Sequence, residues 1–172
     1  MLEAAVFLGV LNEPDIEWLV ANSKQHQIRS GSVLIHRGKP VEFLYLIVDG
    51  AFDISVSLPE RHIATLYAGE LVGEMSFVDM HPPSATVTAG MNSTVLAISK
   101  AVLTRKIEND HGFGVRFFKG ISVLLAGRLR AAYAVDNRVG AEADRKVEMG
   151  LLTMRFEEVQ RRLGLRRLAN GT

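Results

Sequence analysis

Between Gly31 and Ser99 glycine and proline cut the chain into short apolar runs, one break at roughly every ten residues, a cadence that suits a small sandwich or barrel of short strands. Ser32-Val33-Leu34-Ile35-His36 reads as a strand closed by the Gly38-Lys39-Pro40 turn. Phe43 to Val48 is almost wholly apolar, as a strand buried on both faces is, and Asp49-Gly50 marks a tight hairpin. Ala51 to Leu58 alternates, Pro59-Glu60 turns, and Ile63 to Tyr67 makes the next strand. Ser84 to Ile98 supplies two more, broken near Gly90-Met91-Asn92-Ser93.

On both sides of this region the period changes to that of a helix. Asn12-Glu13-Pro14-Asp15 offers a helix start, followed by Ile16, Leu19 and Val20 on one face with Trp18 alongside. After Ser99, residues Phe118, Ile121, Leu125, Ala132, Val135 and Val139 fall near a 3.5-residue spacing, and Gly140 breaks the run. A last amphipathic segment places Met149, Leu152, Phe156, Val159 and Leu163 on one face and stops at Gly164. The order predicts an α+β fold: an eight-stranded antiparallel β-roll (a double-stranded β-helix) from about Gln27 to Ser99, with an N-terminal helix and C-terminal helices. The expected division is a roll with its long helix over residues 1–139 and a helical tail over 140–172.

The composition narrows the class of function. Apolar residues make up 48% and charged residues 23%, a globular balance, and the net charge of +1 gives no whole-molecule field for nucleic acid or anionic lipid. There is no cysteine, so disulfides and thiolate chemistry are excluded. The first residues, Met1 to Leu8, lack the basic region and long apolar run of a signal peptide, and no uncharged apolar run approaches the ~20 residues that span a bilayer. A cytoplasmic protein without membrane contact is the expectation. The histidines, His26, His36, His62, His81 and His111, contain no His-x-His pair of the kind that holds a metal in a cupin β-roll, and neither a Ser-His-Asp order nor a P-loop stands out. No metal, no cofactor and no catalytic residue are expected.

Several of these segments, in order, resemble the cyclic-nucleotide-binding domain family, which includes catabolite activator proteins and the regulatory subunits of cAMP-dependent protein kinase. Gly31-Ser32-Val33-Leu34-Ile35, Gly38 and Leu44-Tyr45-Leu46-Ile47-Val48-Asp49-Gly50 look like the family's first strands and glycine turns. Ala68-Gly69-Glu70-Leu71-Val72-Gly73-Glu74-Met75 looks like the start of its phosphate-binding cassette, Ser84-Ala85-Thr86-Val87 like the cassette's end, and Val95-Leu96-Ala97-Ile98-Ser99 like the closing strand. The resemblance covers about Phe7 to Ala132. It implies a non-catalytic sensor whose ligand is cAMP, cGMP or a related nucleotide. The cyclic phosphate would lie at a helix start, where free amides and the helix dipole favour an anion. Gly73 would allow close backbone approach, Glu74 would accept from the ribose 2′-hydroxyl, Met75 and Ser76 would present amides, and Ser84, with Ala85 and Thr86 in the family's small-residue triplet, would donate to the phosphate or a base edge.

One departure stands out. The family places a phosphate-binding arginine nine positions after the glutamate, and here that position is Pro83, with neither charge nor N–H donor. A charge-assisted hydrogen bond is worth roughly 1.5–3 kcal/mol, so about 10- to 150-fold in affinity goes with it. The candidate replacement cations are His81, Arg61 with His62, Arg128 and Arg130. Two readings stay open: a weak binder of cyclic nucleotides, or a ligand-free scaffold for protein contact or oligomerisation. The resemblance also implies homodimerisation through the long helix, burying Phe118, Ile121, Leu125, Ala132 and Val135 against a symmetry mate. The 33 residues after Val139 show no helix-turn-helix pattern, and the basic stretch Arg161-Arg162-Leu163-Gly164-Leu165-Arg166-Arg167 is offset by Glu157 and Glu158, so direct DNA binding is not expected. The protein partner is unassigned.

Overall fold

The computed structural model describes residues 7–56, 61–134, 156–157 and 159–164. Helix α1 (Glu13–Ala21) starts where the sequence predicts. The Asn12 side chain accepts from the Asp15 amide and the Asp15 carboxylate from the Asn12 amide, both at 3.0 Å, so two amides of the first turn are satisfied reciprocally. Eight strands follow: β1 (Ser23–Ile28), β2 (Val33–Ile35), β3 (Phe43–Asp49), β4 (Ala51–Val56), β5 (Arg61–Tyr67), β6 (Leu71–Val72), β7 (Thr86–Ala89) and β8 (Ser93–Ser99). Between β6 and β7 lies a single helical turn, α2 (Met75–Val78), and after β8 come α3 (Lys100–Asn109) and the long helix α4 (His111–Ala134). All pairings are antiparallel, in two four-stranded sheets ordered β1-β8-β3-β6 and β2-β7-β4-β5. The predicted α+β roll with flanking helices is the observed fold. The residues expected at the turn Pro59-Glu60 lie outside the described residues.

The first sheet has a core on each face, which explains the continuous apolar run of β3. Alternate residues Leu44, Leu46 and Val48 face a helical core with Leu96, Ile98, Phe113, Phe117, Ile121 and Leu124, whereas Tyr45 and Ile47 face the roll interior with Phe52, Leu66, Val87 and Val95. The roll begins earlier than the predicted Gln27. Strand β1 starts at Ser23, and its sequence, Ser-Lys-Gln-His-Gln-Ile, is polar because its four central residues are exposed. Backbone pairing with β8 at the sheet edge holds it, from Ser23 opposite Ile98 to Ile28 opposite Ser93, so it needs no apolar alternation.

The long helix turns Phe113, Phe117, Ile121 and Leu124 inward, with the Phe117 ring 5.4 Å from Phe7, 5.6 Å from Phe113 and 5.8 Å from Phe77. Gly120 lets Phe7 approach, since a Cβ there would stand 2.7 Å from its ring. The expected dimer stripe is therefore corrected. Ile121 is fully buried inside its own chain and so is not offered to a mate, Leu125 is half-buried against the same core, and Phe118 is exposed as expected. Phe118 is joined on the exposed apolar face of the described helix by Val115, Leu129 and Tyr133, and at 100° per residue the four fall within about 60° of one another. The Ala132 side chain, Val135 and Val139 lie outside the described residues. Of the last amphipathic segment, Phe156, Val159 and Leu163 pack against the helical core and Gly164 takes φ +68°; Met149 and Leu152 lie outside the described residues.

Candidate functional site

The chain between β5 and β7 is held by its turns. Gly69 donates to the Ile47 carbonyl (2.7 Å), and the Glu70 carboxylate accepts from the Tyr67 amide (2.6 Å), which aims β6 along β3 with Tyr45 opposite Val72. Gly73 then takes φ +89°, and a Cβ there would come within 3.0 Å of the Phe43 carbonyl oxygen, so both conformation and space call for glycine. Glu74 is the residue that starts α2: its carbonyl accepts from Phe77 (3.1 Å) and Val78 (3.0 Å). Those are the first helical bonds, so the amides of Met75 and Ser76 precede them and have no carbonyl partner within the helix. Phe77 anchors the turn in the helical core, with Met75 exposed on the other side.

Glu74 is 3% exposed, and its carboxylate meets Arg128 of α4. Arg128 Nη1 donates to Glu74 Oε1 and Nη2 to the Leu71 carbonyl at 2.8 Å, so one guanidinium ties the long helix to both ends of the Gly73 turn. Oε2 is left to accept from a second donor. Lys100, at the start of α3, adds a further positive charge nearby. Burial depresses its ammonium, and the carboxylates of Glu74 and Asp79 offset part of that effect.

The predicted site residues converge in two groups. Gly73, Glu74, Met75 and Ser76 form the turn just described. Pro83, Ser84, Ala85 and Thr86 run into β7, and a Cβ on Gly73 would lie 3.7 Å from Ile35 Cδ1, while Ile35 is the β2 partner of Val87. Ile35 thus lies beside the Gly73 turn and pairs with the strand that follows Thr86. The second group is partly engaged: the Pro83 carbonyl accepts from the Gly38 amide (2.8 Å) and the Thr86 hydroxyl from the Arg37 amide (3.3 Å), while Ser84 is exposed.

Of the candidate cations, Arg128 alone is seen on the cassette among the described side chains. His62 bonds to the Thr65 hydroxyl (3.0 Å) and stands 3.4 Å from Asp53, His81 bonds to the Asp79 carbonyl (2.8 Å), and Arg130 is exposed. Arg61 has a described backbone, in β5 opposite Val56. Sequence reasoning passed over Lys100 and also Arg37, whose turn is hydrogen-bonded to Pro83 and Thr86. The signal was present, since Gly38 sits between two cations in His36-Arg37-Gly38-Lys39, yet only the fold shows that this turn abuts β7. Among the described residues no three His, Asp or Glu side chains gather as a metal site, and no helix is long and apolar enough to cross a membrane.

Residues 25–110 match the profile of the family described as "Cyclic nucleotide-binding domain". The chain is 32% identical over 91 residues to the cAMP-activated global transcriptional regulator CRP of Salmonella typhimurium, covering 51% of this chain and 43% of that protein. It is 29% identical over 93 residues to the cGMP-dependent protein kinase of Plasmodium berghei, covering 54% of this chain and 11% of the kinase. It therefore spans less than half the length of either relative. Its fold is similar to a crystal structure of a cyclic nucleotide-binding domain from Methylobacillus flagellatus, with a TM-score of 0.70 at 22% identity, over 80% of this chain and 85% of that one.

Proposed function

The chain belongs to the cyclic nucleotide-binding domain family, and on that premise we propose that it is a cytoplasmic sensor that binds cAMP or cGMP weakly and signals through α4. The observation that carries this reading is the Glu74–Arg128 pair. A ribose 2′-hydroxyl that donates to Oε2 would complete a network whose other donor belongs to the long helix, so occupancy of the cassette would strengthen the docking of α4. The phosphate would rest on the amides of Met75 and Ser76, with Pro83 supplying no cation. Arg128 is already committed to Glu74 and Leu71, so it orients the carboxylate instead of replacing the missing arginine.

The deciding experiment is calorimetric titration of the protein and of Pro83→Arg with cAMP and cGMP. The expected result is weak binding that tightens by about 10- to 150-fold in the variant, the range of a charge-assisted hydrogen bond. A folded Pro83→Arg protein that binds neither nucleotide would overturn the reading. The second reading, a ligand-free scaffold, would then stand, and it is favoured by the same ion pair, which already neutralises the cassette's buried charge.

Assembly is read from the exposed line Val115, Phe118, Leu129 and Tyr133, which would pair two copies of α4 about a two-fold axis. Light scattering at tens of micromolar should give twice the chain mass, and Leu129→Asp should halve it. A monomer mass for the parent protein would remove the dimer from the proposal.

A further inference from the structure

The segment ending at Gly164 has a place that the sensor reading does not use. It lies on the helical side of the first sheet with Val159 1% exposed, and Phe156 and Leu163 pack against the same core, an i, i+3, i+7 set of anchors on one face. Its register is set by Gln160 Nε2, which donates to the Val48 carbonyl of β3 at 2.8 Å. Its polar edge is set by Arg162, which meets Glu13 (2.5 Å) and Glu17 (3.0 Å), one turn apart on α1. Both carboxylates are more than half exposed, so a cation from outside can compete with Arg162 for them.

The fit beneath the middle anchor is incomplete. An apolar cavity of about 30 Å³ lies against Val159, walled by Phe7, Leu19, Leu44, Leu46 and Phe117. Such a gap leaves its lining short of contact partners, so a side chain one methylene larger than valine has room at this position.

We propose that residues 156–164 are the resident occupant of a helix-docking groove between α1 and the first sheet. Its exchangeable occupant is a partner protein's amphipathic helix carrying apolar residues at i, i+3 and i+7, the middle one larger than valine, with a cation at i+6 facing Glu13 and Glu17. The resident segment supplies the template: apolar spacing, charge and polarity of binding are all its own, and only the underfilled position favours a competitor. The exchange does not depend on a nucleotide. It would uncover Leu19 and Leu46 briefly and cover them again.

The test uses the full chain and a fluorescent peptide of residues 155–165 carrying Val159→Leu. Full-chain Val159→Asp weakens the resident segment, so it should bind the peptide about tenfold more tightly than the parent does, a difference well within anisotropy titration. Adding Glu13→Lys and Glu17→Lys to that variant should undo most of the gain. A folded Val159→Asp protein that binds the peptide no better than the parent overturns the proposal. Should that variant fail to fold, full-chain Val159→Leu decides: filling the cavity with one methylene should raise Tm and weaken peptide binding about fourfold, and no change in either overturns it. A fall in the light-scattering mass with Val159→Asp also overturns it, because the groove would then be filled by a second copy of the chain.

Discussion

Arg116 and Arg128 stand twelve residues apart on α4, about 18 Å along the axis, and each reaches a carboxylate that is almost fully buried. Arg116 grips Asp15 with two nitrogens, Nε to Oδ2 at 2.6 Å and Nη2 to Oδ1 at 2.8 Å, and Oδ2 also takes the Asn12 amide. Both oxygens are occupied by the fold, so the pair does one thing: it fastens α1 to the long helix. Arg128 takes only Oε1 of Glu74 and shares itself with the Leu71 carbonyl. The same chemistry on one helix thus makes a closed structural joint at one end and, at the other, a carboxylate still able to accept.

Removing a carboxylate at the closed end should have the largest effect. Asp15→Ala deletes a cap and a buried partner together, and urea denaturation should show a loss of about 3 kcal/mol with nucleotide affinity unchanged. A parallel loss of affinity would mean that the two joints are not separable. At the open end the effect is smaller and of another kind. Arg128→Met should lower cAMP or cGMP affinity by about tenfold, because an unpaired Glu74 loses its orientation, and at equal ligand concentration the expected rise in Tm should be smaller than in the parent. An unchanged affinity would reduce Arg128 to packing.

The smallest effect is the acid limb of stability. Burial works to raise the Asp15 carboxyl, but Arg116 and the Asn12 amide outweigh it, so the group titrates below its ordinary 3.8. A depressed folded-state value gives stability that is fully present above 3.8 and is lost as pH falls through the folded value. Asp110, held low by Lys106 and the Phe113 amide, acts in the same window. Asp15→Asn should flatten part of the stability decline measured by urea titrations below about pH 4, leaving the Asp110 share. An identical slope in parent and variant would place the acid sensitivity elsewhere.

The order of β2 to β5, β7 and β8 was legible because each turn residue acts locally: Gly38, Gly50, Gly69 and Gly73 all take positive φ, which few other residues tolerate, whereas the two-residue β6 is too short to show a pattern. The tight turn at Gly73 was legible for the same reason. Strand β1 was not, since an edge strand held by backbone pairing carries no side-chain period. The outward face of α4 was misjudged because Phe113, Phe117, Phe118 and Ile121 are equally apolar, and a period of 3.5 or 3.6 residues selects different members of the set.

By itself, then, the sequence determined the roll, its turns, the family resemblance and the absence of an arginine at Pro83, because φ restriction, alternation and residue identity are properties of neighbours in the chain. Which acid each arginine meets was decided only by the tertiary structure. Arg128 lies 54 residues from Glu74, Arg116 lies 101 from Asp15, and Arg162 lies 149 from Glu13. Nothing local distinguishes one arginine from the next. A charge finds its partner through the packing of Phe7, Phe77, Phe117 and Val159 into one core, and that packing is a property of the whole fold.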